Sequence, residues 1–568
     1  MAVFVTGLVG ILVFYVAVLG VGIWAGTKQK NNGEEEVMLA GRNLGMVVGV
    51  LTLIATWVGG GYINGTAEAM FTRGLAWCQV PVGYSLSLLL GCLLFIKPMR
   101  EAEYVTMLDP FQVKYGPRVG ALLFLPALLG DLFWVGAILN ALGSSLTVIL
   151  EINITTSVIV STIFAASYTM VGGLYSVSYT DVLQLVCIVL GLVISVPFAY
   201  YHPAVKHDSL ETVDWVGTLA PEDVGIWLDT LLLLIFGGIP WQVDITLSYF
   251  QRVLSIRSTR IAQMLSVVAM VGCMAMAVPA AFTGIIARGT DWEKVDGFNT
   301  NITTNEGEIV LPLVLRFLTP SWVSFFGLGA ISAAVMSSAD ASILGSSAMF
   351  TRNVYKLAFR PNASEREGIW VLRAALVTVS TLAACVALFI GSIYYLSYLC
   401  SDLVYVILFP QLLLVVHWPN GVNKYGSLTA YAVGLVVRLL GGELGLGIPV
   451  VIKFPFYDES ANIQRFPFKT FSMLCALVSH LLASTIARII FEQNWLSADR
   501  WDVLDAFPHL KMGFNSTNEK YRETPIDGIV GRQDSAVLPI VSMDENSKVF
   551  KNGLVNPVLI DGSKDSKF

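Results

Sequence analysis

About thirteen apolar segments, each long enough to cross a lipid bilayer, follow one another along this chain of 568 residues. In lipid every backbone polar group needs an internal partner, so such segments fold as helices. Their predicted bounds are 4–26, 45–68, 76–96, 118–148, 156–175, 178–201, 225–251, 263–287, 309–350, 369–391, 394–417, 425–442 and 469–491. Only 13% of the residues are charged, against about 25% in a soluble domain. We therefore expect an all-α polytopic membrane protein, and not a transmembrane barrel with its short alternating segments.

Two of the apolar segments contain helix breakers beside a tryptophan. Residues 55–65 read ATWVGGGYING, and residues 237–242 read GGIPWQ. Unwound backbone at membrane depth is tolerated only against protein or a water-filled cavity. Breaks at matching positions of two halves are typical of inverted-repeat transporters and mark the binding site. The first broken segment opens a group of five predicted helices that ends near residue 201, and the second opens another that ends near residue 417.

Four aromatic residues flank the breaks or lie inside neighbouring spans. They are Trp57, Tyr84, Trp134 and Trp241. A single tryptophan in mid-membrane more often packs than binds a ligand, because most membrane tryptophans sit at the interfaces. Several aromatic residues that meet helix breaks favour binding instead. Their faces suit a fully methylated ammonium ion, which has no N–H to donate.

The ninth predicted span carries four serines and one carboxylate within eleven residues, 332–342. Serines in an apolar helix often bond back to the preceding turn, but this density indicates a cation site. A dehydrated Na⁺ needs oxygen ligands, and serine hydroxyls and the carbonyls of an unwound helix supply them. Asp340 is costly in lipid, so it should face the cavity and serve a cation or a polar partner.

Three more acids lie in or next to the predicted spans. Asp181 opens the sixth span on the basic side, where it is either a helix cap or a group of the inner gate. Asp131 and Asp402 lie deeper, and the sequence does not identify their partners. An acid at this depth needs a partner or a function.

Cysteines and histidines give no signal of a metal or a cofactor. The seven cysteines all fall in apolar segments and form no CxxC pair, which favours small buried side chains. The five histidines are scattered. The membrane segments contain no nucleophile–base arrangement, so an integral membrane enzyme is disfavoured, and we expect no cofactor and no nucleic-acid partner.

Lysine and arginine are distributed unequally between the loops. The basic stretches are 28–42, 97–118, 252–260 and 352–366, whereas the loops 202–224 and 288–308 are acidic. The positive-inside rule makes the basic side cytoplasmic. With an odd number of spans, the N-terminus then lies outside and the C-terminus inside. The sequon at Asn301 falls in an outer acidic loop and is the predicted glycosylation site.

The predicted organisation has four parts. They are 1–44, a first transmembrane helix and a cytoplasmic loop; 45–417, the ten-helix core; 418–491, the last two transmembrane helices; and 492–568, a cytoplasmic tail. The first helix has no basic residue before it and no small-residue cleavage site, which favours a retained helix over a signal peptide. The tail is polar and without periodicity, so residues 512–568 are predicted to be disordered.

Four strings carry a family resemblance. They are residues 55–69, 97–100, 104–112 and 336–340. They resemble the sodium/solute symporter family, which includes glucose and proline transporters, and are most similar to its choline-importing members, from about residue 3 to 505. The resemblance implies a LeuT-like inverted-repeat core and choline uptake that is driven by sodium and depends on chloride. It also implies a plasma-membrane carrier of presynaptic terminals and vesicles that supplies acetylcholine synthesis.

The resemblance also assigns roles to individual residues. The aromatic cage for choline falls on Trp57, Tyr84, Trp134 and Trp241. The sodium site falls on the carbonyls of Ile54, Trp57 and Ala334 and on the hydroxyls of Ser337 and Ser338. Asp181 matches an acid near an additional sodium ion or the inner gate, and Asp340 a polar neighbour of the cavity. The implied partners are choline, Na⁺, Cl⁻ and the lipid bilayer, and assembly into a homo-oligomer is left open.

One departure from the family pattern follows the second break. Residues 243–248 separate Gln242 from Tyr249, where choline-importing members have one residue, so five are inserted. Five residues rotate a helix face by roughly 140°, so either a bulge absorbs the insertion or downstream contacts are displaced. Two other functions stay open. One is a symporter of the same family for proline, a sugar or a vitamin, and the other is a non-transporting choline sensor or leak channel.

Overall fold

The structure, a computed structural model, describes residues 4–26, 46–102, 104, 108–207, 215–240, 259–298 and 302–511. Several predictions fall outside the described residues, namely those for Trp241, the insertion at 243–248, the sequon at Asn301 and the tail from 512 onward.

The described part of the chain is mainly helical. Its helices are α1 Val5–Gly26, α2 Met46–Trp57, α3 Gly60–Thr72, α4 Val80–Gly91, α5 Asp109–Tyr115, α6 Pro117–Leu150, α7 Ile154–Tyr200, α8 Val224–Leu232, α9 Thr259–Gly289, α10 Val310–Phe317, α11 Ser321–Met349, α12 Glu365–Phe389, α13 Ile393–Leu399, α14 Phe409–His417, α15 Lys424–Leu440, α16 Phe468–Glu492 and α17 Ala498–Trp501. One antiparallel hairpin pairs β1, Tyr457–Asp458, with β2, Ile463–Gln464.

Eight described helical stretches are long and apolar enough to cross a membrane, and three shorter ones are also apolar. The protein is therefore a multi-pass helical membrane protein, as predicted. The number thirteen is not confirmed. The long ninth span, predicted over 309–350, divides into the short α10 and the long α11 on either side of Leu318–Pro320.

Helix α7 corresponds to two predicted spans, 156–175 and 178–201. It has 47 residues and would be about 70 Å long if straight. Near its start, however, Ser157 accepts a hydrogen bond from Thr147 at 2.9 Å, and near its end Ala199 packs in the same small apolar cluster as Val148. Both ends of α7 thus lie beside the end of α6, as two passes of the membrane would place them.

Side-chain caps fix where several helices begin. Asn153 accepts hydrogen bonds from backbone amides of the first turn of α7, and Ser364 does so for α12. Ser392 caps α13, and Asn423 caps α15. Such caps satisfy amides that have no partner inside the helix, so each loop passes into its helix at a defined residue.

The first predicted break is present between α2 and α3. Gly59 is extended, with φ −87° and ψ −175°. The hydrogen bond before the break joins Val58 N to Ile54 O at 2.8 Å, and the one after it joins Ile63 N to Gly59 O at 3.0 Å. The helical ladder is interrupted between them, because an extended residue cannot continue the α-helix.

The segment with the second predicted break is described as far as Pro240. After α8 it continues through a wide π-helical turn, Leu233–Gly237. Gly238 lies so close to Tyr84 and Ser87 that any side chain there would overlap them. Gly238, which is three residues before Trp241 in the sequence, therefore lies beside Tyr84.

Helix α3 lies at the centre of the protein. Its residues from Gly60 to Met70 are all buried. Gly61 lies against Ala137 of α6, and the Tyr62 hydroxyl donates to the Cys273 carbonyl of α9 at 3.0 Å. Gly65 lies against Tyr394 of α13. The first break is thus surrounded by protein, as unwound backbone in a membrane requires.

The partner of Asp402 is Arg438 at the end of α15. The Arg438 Nε donates to both Asp402 oxygens at 2.8 Å, and its Nη2 donates to Glu443 at 2.5 Å. The Tyr395 hydroxyl donates to the same Glu443 carboxylate at 2.6 Å. Charges are retained at this depth only when they are paired, so this cluster joins α13, α15 and the loop that follows α15.

The cysteines follow their prediction only in part. Cys78, Cys92, Cys273 and Cys400 are buried, but Cys385 is exposed on α12. The prediction is wrong for Cys385 because hydrocarbon is as apolar as a protein core. An apolar segment therefore does not indicate which of its side chains face the protein.

Candidate functional site

The first break meets helix α11 at the level of the predicted sodium site. A side chain at Gly60 would overlap the Val335 side chain, so the two backbones approach closely. Ser338 lies one turn further along α11 and is fully buried. Its hydroxyl has no hydrogen-bond partner among the described residues, and neither have those of Ser332 and Ser342.

Other hydroxyls on the same helix behave differently. The Ser347 hydroxyl donates to the Ile343 carbonyl at 2.7 Å, as serines in apolar helices usually do, and the Ser346 hydroxyl is shared between the Ser342 carbonyl and Asp131. The hydroxyls near the break are therefore the ones available to a ligand. At the break itself, the Ile54 carbonyl accepts from Val58 and keeps a second lone pair. The side chains of Ala334, Ser337 and Asp340 lie outside the described part.

Two of the predicted cage residues form a pair at the break. The ring centroids of Trp57 and Tyr84 are 5.5 Å apart, with an angle of 51° between the planes. The residues are 3% and 1% exposed. The Tyr84 hydroxyl donates to the Ser397 carbonyl of α13 at 2.6 Å and also contacts the Ser401 hydroxyl at 2.8 Å. Polar groups thus hold the phenol while its ring faces Trp57.

Trp134 reaches the same level from α6. Gly61 lies against Ala137, and the Asn64 side chain donates to the Ala141 carbonyl at 3.4 Å. Trp134 lies one turn before Ala137 on α6, and the break lies within one turn before Gly61 on α3, so Trp134 is level with the break. Trp134 is 2% exposed. The described residues thus bring three of the four predicted cage residues to one region, with Trp241 outside the described part.

Asp181 is fully buried on α7. Gly191 of α7 lies against Ala330 of α11, and the helices run in opposite directions here because Ser195 contacts Gly327. Asp181 precedes Gly191 by ten residues, and Asp340 follows Ala330 by ten. Because the two helices run in opposite directions, this register places Asp181 level with Asp340. Its two predicted roles, helix cap or gate, stay predictions.

Sequence reasoning missed three polar residues. Glu68 of α3 accepts from the Ile393 and Tyr394 amides at 3.0 Å each, and so caps α13. The Gln184 side-chain oxygen is buried without a partner among the described residues. Ser346 donates to Asp131 at 2.5 Å and is the partner that the sequence did not identify. The sequence did contain one signal for Glu68, because an acid inside an apolar segment needs a partner or a function. The same signal had drawn attention to Asp131.

A broken helix in the core of a multi-pass membrane protein, lined by aromatic rings and serine hydroxyls, is the architecture of a secondary transporter. Residues 37–434 match the Sodium:solute symporter family. The chain belongs to this family, and is therefore a transporter and not an enzyme.

Three relatives illustrate the match. The chain is 54% identical over 495 residues to high-affinity choline transporter 1 of Drosophila melanogaster, covering 87% of this chain and 80% of that one. It is 50% identical over 523 residues to high affinity choline transporter 1 of Homo sapiens, covering 89% of each. A Na⁺-coupled sialic acid symporter, solved outward-open with substrate, matches with a TM-score of 0.64 at 15% identity, over 86% of this chain and 98% of that chain. This last likeness concerns the fold alone.

Proposed function

We propose that the protein imports choline across the plasma membrane by alternating access, driven by the sodium gradient and dependent on chloride. The observation that carries the proposal is the buried pair of Trp57 and Tyr84 at the break. Each well-placed, desolvated ring contributes on the order of 2 kcal/mol to binding of a quaternary ammonium ion. The identity of 50% or more to the two choline transporters supports the same substrate.

In this proposal choline docks between Trp57, Tyr84, Trp134 and Trp241. Na⁺ binds where the break meets α11, with the carbonyls of Ile54, Trp57 and Ala334 and the hydroxyls of Ser337 and Ser338 as ligands. The ion holds the broken helix against α11 and favours the outward-open state. The outer gate then closes over the bound choline, with α13 held beside the cage by the hydrogen bond from Tyr84 to the Ser397 carbonyl. Asp181 and Asp340 serve a further sodium ion or the inner gate.

The proposal also assigns an orientation and a location. The N-terminus lies outside and the C-terminus inside, because the basic loops are on one side. The proposed location is presynaptic terminals and vesicles, where such a carrier supplies choline for acetylcholine synthesis. Asn301 is the proposed glycosylation site on the outer side.

The deciding experiment is uptake of radiolabelled choline into vesicles that contain the full chain. We expect accumulation above the external concentration when Na⁺ is high outside, and loss of accumulation when the gradient is abolished. Choline binding without accumulation would indicate a sensor, and downhill flux that ignores Na⁺ would indicate a channel. Uptake of proline or a sugar in preference to choline would indicate another substrate.

Replacing Ser338 with alanine should raise the Na⁺ concentration for half-maximal uptake by about tenfold or more. The substitution removes one buried oxygen without a protein partner, and a hydrogen bond or ligand to a charged group contributes about 1.5–3 kcal/mol. The matched control is Ser347→Ala, because the Ser347 hydroxyl bonds to its own helix. An unchanged Na⁺ curve for Ser338→Ala, or an equal shift for both variants, would remove Ser338 from the site.

A further inference from the structure

A cavity of about 170 Å³ lies on the predicted outer side of the protein. Its walls come from the loop after α3, from α8 and α13, from the first turn of α16, and from the loop and the hairpin between α15 and α16. The residues that line it include Arg73, Tyr398 and Lys469, but neither Trp57 nor Tyr84. It is therefore separate from the proposed cage.

The ammonium group of Lys469 lines this cavity, and its N–H groups have no acceptor among the described residues. The Lys469 side chain is only 9% exposed. Its Nζ lies 3.6 Å from the Glu443 carboxylate, beyond a good hydrogen bond, and 5.1 Å from the centre of the Tyr398 ring. Among the described residues nothing accepts a hydrogen bond from it. A buried ammonium with unused donors is costly, so a ligand that accepts from it is stabilised.

Two further donors reach the same cavity. The Arg73 guanidinium lies over the Trp77 ring at 5.7 Å, and no described residue accepts a hydrogen bond from it. The Tyr398 hydroxyl group belongs to the same lining and likewise has no acceptor in the described part of the chain. An ammonium, a guanidinium and a hydroxyl thus face one small space.

The two acids that line the cavity are occupied by other donors. Asp229 accepts from the Lys469 and Thr470 amides at 3.0 and 2.7 Å. Glu443 accepts from Arg438 and Tyr395. Their charges offset those of Lys469 and Arg73, so the cavity does not attract a multiply charged anion. Because their oxygens accept hydrogen bonds from these other groups, they leave the donors of Lys469, Arg73 and Tyr398 available in the cavity.

We propose that this cavity binds one small monovalent anion, of the size and charge of chloride. The three donors come from three elements: Arg73 follows α3, Tyr398 belongs to α13, and Lys469 opens α16. A bound anion therefore links the outer end of α3 to the last turn of α13, and that turn also accepts the Tyr84 hydroxyl. If the proposed function holds, this is the chloride that uptake requires. That link rests on the proposed function, whereas anion binding does not.

The first test measures thermal unfolding of the purified full chain without Na⁺ or choline, in potassium chloride against potassium gluconate. Chloride should raise the midpoint temperature of the unmodified protein, and bromide should replace it. Lys469→Gln should need at least tenfold more chloride for the same rise. Tyr398→Phe, which keeps the ring in place, should show a smaller shift in the same direction. The control is Lys453→Gln, an exposed lysine paired with Glu459, which should leave the chloride curve unchanged.

An unchanged chloride curve in folded Tyr398→Phe and Lys469→Gln would overturn the proposal. Equal stabilisation by sulfate at matched ionic strength would overturn the assignment to a monovalent anion. The second test measures choline uptake against chloride concentration. If the unmodified protein transports choline without chloride but is still stabilised by it, the chloride part of the proposed function fails and the site stands. If uptake requires chloride but both variants keep its half-saturation, the site fails and the proposed function stands.

Discussion

Trp57→Ala should lower choline uptake by about thirtyfold or more at sub-saturating choline. The expected loss corresponds to one desolvated cation–π contact of about 2 kcal/mol, and each 1.4 kcal/mol is about tenfold in affinity. The substitution also removes the ring that packs 5.5 Å from Tyr84, so the true effect should be larger. The measurement is initial uptake rate against choline concentration, normalised to protein at the cell surface.

The control for this prediction is Trp370→Ala. Trp370 is 69% exposed on α12, so its loss should leave both uptake and surface expression near those of the unmodified protein. Trp57→Phe should recover part of the affinity, because it restores an aromatic face. Normal uptake by a Trp57→Ala protein at normal surface density would exclude Trp57 from the substrate site.

Arg438→Met should destabilise the protein by about 3–5 kcal/mol, because it leaves buried charges without their partner. Arg438 is paired with Asp402 and Glu443 and is almost fully buried. The thermal midpoint of the purified variant should fall, and less of it should reach the cell surface. The measurement is thermal unfolding in detergent, together with surface labelling.

The double variant Arg438→Met with Asp402→Leu distinguishes two causes of lost stability. One is a buried Asp402 left without its partner, and the other is the loss of the Arg438 side chain itself. It removes a charge of each sign and leaves Glu443 with Lys469, so it should be more stable than the single variant. Lys453→Met is the matched surface control, because its partner Glu459 is exposed and such pairs contribute about 0–1 kcal/mol. Equal losses in the single and double variants would contradict the assigned role of the pair.

Features set by neighbouring residues were predictable from the sequence. Three consecutive glycines after Trp57 place a break in an otherwise continuous apolar segment, and the structure has that break at Gly59. The division of the ninth span follows from Pro320, since proline cannot continue a helix from the preceding residue. The serines of α11 stood out because hydroxyls are sparse in lipid-spanning helices.

Pairings between distant residues were not predictable. Asp402 and Arg438 are 36 residues apart, and Glu68 meets Ile393 across 325 residues. One sequence shows that a buried acid needs a partner, but not which helix supplies it. The cavity near Lys469 depends on residues from α8, α13, α16 and the loops between helices, and only tertiary packing brings them together. The same limit applies to Trp134, whose place beside the break depends on the register of α6 against α3.

The seven-residue helix α13 is fixed at both ends by different parts of the core. Glu68 holds its first amides, and Tyr84 holds the Ser397 carbonyl in its last turn. Movement of its first turn therefore requires that the hydrogen bonds to α3 break, and movement of its last turn requires that the hydrogen bond to α4 breaks. Any displacement of α13 is thus coupled mechanically to both of these helices.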